Sequence, residues 1–275
     1  MNSSPQLRQE AKQRYIDGEN TIEIARSMRV SGETIRQWLH KLGVEIRRRP
    51  DRQQKYSHRS DCFSSMTPSA TDAYFAGLLL ADGNVQKKSG LIQISILASD
   101  AYLLHALKRH LAYTGPIKYF SRRHRSGRWG KMSALRVIAH DLLAPLAAWG
   151  VVPQKSKRGF VGPAVRSGSL LEEYFYRGLF DGDGCVHKRR NKKGLYLSLG
   201  GTPAIIDAFR DWCWRSCREA GSLHKRSATF HVVQFGGRAA AAVGEQLYRS
   251  KGAPKMHRKV ELIKCVTKEM HLMQR

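Results

Sequence analysis

Two aspartates in this 275-residue chain each close a run of apolar residues and are each followed at once by glycine. The first run is Tyr74-Phe75-Ala76-Gly77-Leu78-Leu79-Leu80-Ala81-Asp82-Gly83. The second is Phe175-Tyr176-Arg177-Gly178-Leu179-Phe180-Asp181-Gly182-Asp183-Gly184, which places Asp82 and Asp183 101 positions apart. One such run alone reads as a core helix ending in a solvated Asp-Gly turn. Two matching copies reverse that reading. A carboxylate at a helix C-terminus faces the negative end of the peptide dipoles, a penalty of about 0.3–1 kcal/mol. Two of them side by side also repel each other, so a positive charge belongs between them, and hard oxygen ligands suit Mg²⁺ or another divalent cation.

The residues around each acid predict how the two are brought together. Ser169 with Glu172 has capping-box spacing, and Ser69 with Asp72 imitates it, so a helix starts before each run. Gly83 and Gly184 read as helix stop signals. Gly77 with Ala81, and Gly178 with Gly182, set small residues four apart on helices that are apolar nearly all round. Such helices are buried, and their small faces allow close approach. Packing about a local two-fold would bring Asp82 and Asp183 to one edge.

Both runs resemble the signature helices of LAGLIDADG homing endonucleases, in the single-chain form that carries two copies, and the likeness extends from about Thr67 to the C-terminus. The resemblance places the metal-binding acids at Asp82 and Asp183, with Ala81 and Gly182 beside them in the metal site. The sixth motif position, often acidic in the family, is Leu80 in the first copy and Asp181 in the second, a departure that touches helix packing more than chemistry.

Composition agrees with a polyanionic partner. The formal net charge is +26 and the isoelectric point about 10.3, far beyond what solubility needs. No apolar run approaches bilayer length, and Met1-Asn2-Ser3-Ser4-Pro5-Gln6 lacks a signal-peptide core. A soluble nucleic-acid binder is the better reading; the resemblance implies double-stranded DNA as the partner, in a bacterial or phage-infected cytoplasm or an organellar matrix. The five cysteines form no CxxC pair, which predicts reduced thiols. Cys213 and Cys217, four apart, read as core rather than as zinc ligands.

The first 48 residues predict three short helices, with Asn20 capping the second, Ser31 capping the third, and a small core of Ile24, Ala25, Met28, Val30, Ile35, Trp38, Leu39 and Leu42. Thr21-Ile22-Glu23-Ile24-Ala25 through Val30-Ser31 to Trp38-Leu39 resembles a helix-turn-helix of the recombinase and transposase kind. On that resemblance Thr34, Arg36, Gln37, His40 and Lys41 face DNA; a small bundle with a charged face is the plainer alternative. A linker is expected over 49–66. The basic run Arg47-Arg48-Arg49 at its head would follow phosphates or a minor groove.

After Asp82 the apolar period changes to two. Ile92, Ile94 and Ile96 alternate with Leu91, Gln93 and Ser95, which predicts a strand paired through the Lys87–Gly90 turn. Helix, hairpin, helix, hairpin, helix is the expected order over 67–160, and 161–275 repeats it. The fold class is therefore α+β: two pseudo-symmetric αββαββα units plus a small all-α domain.

In the family such units form a β-saddle over the major groove. Its outward residues here would be Gln86, Gln93, Ser95, Lys118, Arg136, His187, Tyr196, Ser198 and Gln234, with Arg122, Arg123, Lys188 and Arg189 in the hairpin loops. The resemblance further implies a basic residue near each scissile phosphate, namely Lys155 and Lys259, with Lys255 as the alternative to Lys259. The activity implied is a metal-dependent double-strand break by a monomer at a long DNA site, serving the homing of an intron-encoded or free-standing element. An intron RNA maturase and a non-cleaving transcription regulator are the alternatives.

Overall fold

Helix α4 (Ala70–Asp82) and helix α7 (Leu170–Asp183) are the axis of the larger of two compact units, Tyr56–Arg275. The computed structural model describes residues 4–46, 56–64, 66–123, 127–154, 167–188 and 194–272. The two helices lie so close that a Cβ at Gly77 would fall 2.0 Å from the Phe175 carbonyl oxygen, and one at Gly178 would fall 1.9 Å from that of Tyr74. These contacts are reciprocal under the 101-residue offset, so a pseudo-two-fold runs between the helices as the small-residue pattern predicts.

The starts of the two helices differ. Ser69 and Asp72 form a complete capping box. Ser169 makes no side-chain cap bond, and its Oγ is buried without a partner. The Glu172 N–H donates to the Ser169 main-chain carbonyl at 3.1 Å instead of to Oγ, while the Glu172 carboxylate accepts from the Gly168 N–H at 2.7 Å and pairs with both terminal nitrogens of Arg215, at 2.7 and 3.0 Å.

The helix ends also correct the expectation. Gly83 and Gly184 are extended, with φ of −77° and −75°, not left-handed. Each helix runs straight into a strand, and a Cβ at these positions would meet the carbonyl oxygens of Leu79 at 2.4 Å and Phe180 at 2.3 Å. Glycine is required for lack of space, not for a positive φ.

Strand β1 (Gly83–Gln86) follows α4, then β2 (Leu91–Leu97), helix α5 (Ala101–His110), β3 (Ile117–Arg123), β4 (Trp129–Ile138) and helix α6 (Leu143–Ala148). Strand β5 (Gly184–Lys188) follows α7, then β6 (Leu195–Gly201), helix α8 (Pro203–Cys217), β7 (Ser222–Ser227), β8 (Phe230–Gly236) and helix α9 (Gly237–Tyr248). Each half builds one antiparallel four-stranded sheet, in the orders β1-β2-β4-β3 and β5-β6-β8-β7. The inward rows, Ile92, Ile94 and Leu135 in one sheet and Leu197, Leu199 and Val233 in the other, join α4 and α7 in one apolar core. A last helix, α10 (His257–Leu272), adds an element beyond the repeated order. None of the described helices is long and apolar enough to cross a membrane.

The smaller unit, Met1–Lys55, holds helices α1 (Pro5–Ile16), α2 (Thr21–Ser27) and α3 (Gly32–Lys41) around Ala11, Tyr15, Ile24, Ile35, Trp38 and Leu39. Asn20 and Ser31 cap as expected.

Chain expected to be linker is packed from Tyr56 onward. Cys62 and Phe63 are buried in the main core, and Trp149 Nε1 donates to the Phe63 carbonyl at 3.0 Å. Asp72 secures the same segment, accepting from the Phe63 N–H and from His110 Nε2, both at 2.7 Å. Cys62, Asp72 and His110 bring their ligand atoms within 4.8 Å of one another, yet hydrogen bonds and the ion pair already satisfy the carboxylate without a cation.

Burial opposes the charge on both members of this pair, and their mutual contact overrides it. Asp72 is held down at about 2, helped by Ser69 and Phe63, and His110 is raised to about 9. The pair's stabilisation is therefore complete between the ordinary values of 3.8 and 6.5. It is lost as pH falls through about 2 and as pH rises through about 9. The unfolding free energy from urea titrations should drop on the alkaline side by on the order of 2 kcal/mol. A His110→Gln variant should flatten that limb; an equal alkaline loss in the variant would assign it to another group.

Candidate functional site

The shared edge of α4 and α7 carries the two acids. Asp82 and Asp183 are both exposed. A Cβ at Gly182 would lie 2.3 Å from Ala81 Cβ and 3.3 Å from Asp82 Oδ2, so the Asp82 carboxylate stands against the end of α7. Asp183, Leu80 and Ala81 line one cleft of ≈ 480 Å³, whose far wall is Gly200, Thr202 and Phe230. Two exposed carboxylates at adjacent helix C-termini, beside main-chain oxygens, form an all-oxygen donor set. This fits a hard divalent cation held by Asp82 and Asp183 with the main chain at Ala81 and Gly182.

The sixth motif position separates from this edge. Asp181 is fully buried and accepts from the hydroxyls of Tyr74 and Tyr248 and from the Met256 N–H. Burial raises its pKa, although those hydrogen bonds and Lys259 work against the rise. It ties α4, α7, α9 and the entry to α10 together. Leu80, its counterpart, is buried as well, so the asymmetry between the two copies concerns packing.

Lys259 does not stand where a phosphate-facing group would. Its buried ammonium donates to the carbonyls of Phe180, Asp181 and Gly184, which are the last carbonyls around the α7 terminus. Three donors on three acceptors leave none for a phosphate. Burial lowers its pKa to about 8, opposed by the charges of Asp181 and Asp82. The residue acts as a cap on the helix that presents Asp183. Lys155 lies outside the described residues. Lys255, the alternative in the second half, is half-buried.

Register decides which strand residues share the outward face. Asn84, Gln93 and Arg136 form one row across β1, β2 and β4, and Ser95, Ala134 and Lys118 form the next. Gln86 and Arg122 share that side. In the second sheet Cys185, Ser198, Gln234 and Ser222 form one row, and His187 with Tyr196 forms another, their rings stacked at 5.4 Å. Every strand-face position read as outward thus lies outward in its sheet. Arg123 and Lys188, by contrast, fall on the opposite parity, paired with Trp129 and Leu195. Asn84, Phe120 and Ser222 belong to the outward face although the sequence did not single them out; alternation counted back from Gln86 reaches Asn84.

On α3, Gln37, His40 and Lys41 are exposed or nearly so. Thr34 contacts Ser31 at 2.8 Å and Arg36 pairs with Glu33 at 2.8 Å, so both are already engaged within the helix. Arg47, Arg48, Arg49 and Arg189 lie outside the described residues.

Residues 69–147 match the family model described as "LAGLIDADG-like domain". No curated protein matches the chain. Among solved structures it is similar to the meganuclease I-SmaMI bound to uncleaveable DNA, with 12% identity, 74% of this chain and 90% of that one covered, and a TM-score of 0.49. The homing endonuclease I-WcaI bound to its DNA recognition sequence gives 13% identity, 72% and 90% coverage, and a TM-score of 0.48. Full-length DUF199/WhiA from Thermatoga maritima gives 16% identity, covering 72% of this chain and 59% of that one, at a TM-score of 0.45. The family model covers the first half of the larger unit, and the second half repeats the ββαββ order after a matching helix.

Proposed function

We propose that this chain is a site-specific homing endonuclease that makes a metal-dependent double-strand break in a long DNA target. The observation that carries the reading is the reciprocal glycine contact of α4 and α7, which sets Asp82 and Asp183 at one two-fold edge. Binding alone needs no paired carboxylates there.

Duplex DNA lies along the outward faces of both sheets. Gln86, Gln93 and Gln234 offer paired donor and acceptor groups suited to adenine, and Arg136 suits guanine. Lys118 and Arg122 neutralise phosphates, and Ser95, His187, Tyr196 and Ser198 complete the contact surface. Asp82 and Asp183 would hold Mg²⁺ or a similar cation, whose charge would supply polarisation of the scissile phosphate and stabilisation of the attacking and leaving oxygens. Water attacks phosphorus and the P–O3′ bond breaks, leaving a 5′-phosphate and a 3′-hydroxyl. Lys259 holds the α7 terminus in place, while Lys155 stabilises charge on the phosphate.

The test is a supercoiled plasmid bearing the chain's own insertion site, incubated with Mg²⁺ with and without chelator. Linear product only in free Mg²⁺ is expected. Absence of cleavage together with tight duplex binding would favour the regulator reading, and preference for structured intron RNA would favour the maturase.

The N-terminal unit acts as a helix-turn-helix through Thr34, Arg36, Gln37, His40 and Lys41, with Arg47, Arg48 and Arg49 following the backbone. Because it is tethered, it raises effective concentration without touching the cut. Deleting Met1 to Arg49 should weaken duplex binding by about tenfold or more, shorten the footprint on one side and leave the cut positions unchanged. It should also reduce the log–log salt slope by about 0.9 for each phosphate that the shortened chain no longer neutralises. An unaltered footprint and affinity would refute the helix-turn-helix reading.

A further inference from the structure

The β3–β4 hairpin outgrows its sheet. Pairing of β4 with β2 stops at Leu97 opposite Met132, so Trp129 to Lys131 pair with β3 alone. On the side away from the proposed duplex face, Tyr119 stands opposite Ser133, Ser121 opposite Lys131, and Arg123 opposite Trp129. His105 Nε2, on α5, reaches the Tyr119 hydroxyl at 3.2 Å, which fixes this as the helix side of the sheet. Tyr119 is 58% exposed and Trp129 70% exposed. Two large aromatic rings, separated by three residue pairs along the hairpin of which only Ser121 with Lys131 shares their face, are thus left uncovered with cations between and beside them.

His105 also connects this track to a groove of ≈ 500 Å³ between α5 and the segment leading into α10. Arg109, Lys255 and His257 line the groove, His257 stacked on Tyr102 at 4.4 Å with planes 9° apart, and no carboxylate is among its lining residues. Cations along a groove with aromatic rings at its end match a flexible polyanion that offers flat π-faces. A duplex satisfies the charge but keeps its bases stacked inside, whereas a single strand presents both phosphates and free bases.

We propose that this helix-side surface, from the groove at Arg109 and Lys255 to Tyr119 and Trp129, is a second nucleic-acid site that binds a single strand while the opposite sheet face holds duplex. Its ligand is single-stranded nucleic acid, either RNA or a separated DNA strand. Phosphates lie along the groove and bases stack on the two rings. The site is independent of cleavage and of Asp82 and Asp183.

The experiment uses the full chain and fluorescent oligo(U) and oligo(dT), titrated with and without a saturating duplex carrying the insertion site. Single strand should bind the duplex-saturated protein. Trp129→Ala and Tyr119→Ala should each weaken it about tenfold or more, Trp129→Phe should retain most of the affinity, and duplex affinity should not change. Phe120→Ala, on the other face of the same hairpin, should leave single-strand binding intact. Melting curves establish that the variants fold. Preference for oligo(U) names RNA as the source and preference for oligo(dT) names DNA, and either supports the site. Displacement of single strand by duplex, unchanged single-strand affinity in both alanine variants, or equal displacement by polyglutamate would overturn it. Duplex binding, read in parallel, keeps that failure distinct from failure of the endonuclease reading.

Discussion

Cleavage of the insertion site should fall by about three orders of magnitude or more, about 4 kcal/mol in the barrier, when Asp82 and Asp183 are both replaced by Asn. The substitution keeps size and shape and removes the charged oxygens that would hold the cation. Duplex binding should survive or tighten, because two negative charges facing a phosphate backbone are gone. Both acids are exposed, so neither replacement puts an amide into the core. Stability should hold or rise slightly as the unfavourable charge at the helix C-termini disappears. Each single variant should spare nicking of one strand more than the other if the two acids serve different strands. Undiminished cleavage by the double variant, measured on supercoiled plasmid beside a binding titration, would place the chemistry elsewhere.

The largest effect on folding is expected at Gly77 and Gly178. A methyl group at either would sit 2.0 or 1.9 Å from a main-chain oxygen of the partner helix, and main chain cannot rotate aside as a side chain can. Either Gly→Ala change must drive α4 and α7 apart, stretching the 2.7 Å bond from the Tyr74 hydroxyl to Asp181 and opening the core on both sides. A destabilisation of about 3 kcal/mol or more is expected for each, at the upper end of overpacking costs. The two sites lie on one interface, so the Gly77→Ala, Gly178→Ala pair should cost less than the sum, the first change having already made room for the second. Urea unfolding of the three variants checks this. Midpoints close to the parent would mean that the helices do not meet as closely as the geometry requires.

Much of the architecture follows from local rules that residue types obey wherever they occur. Period-two alternation places Ile92, Ile94 and Ile96 inward and Gln93 and Ser95 outward, because a strand exposes successive side chains on opposite faces. Asn20 and Ser31 cap their helices because the bonds they make reach only two or three residues along the chain. The small residues four apart on two apolar helices suffice to predict a close crossing, and with it the meeting of Asp82 and Asp183.

What sequence alone leaves undecided are the contacts between groups distant in the chain, where several partners compete for one side chain. Glu172 and Ser169 have the spacing of a capping box, but Arg215, 43 residues on, claims the carboxylate. Gly83 and Gly184 have the look of stop signals, when what requires them is the carbonyl one turn back in a helix that continues directly into a strand. Tyr56 to Phe63 looks too polar to bury, yet the Phe63 N–H donates to the Asp72 carboxylate that His110 pairs with, and the Trp149 indole donates to the Phe63 carbonyl, which together hold it to the core. Lys259 carries the same charge as any surface lysine. Only the return of α10 to the end of α7 turns its ammonium onto three carbonyls, because a buried cation adopts whichever oxygens the fold brings within reach.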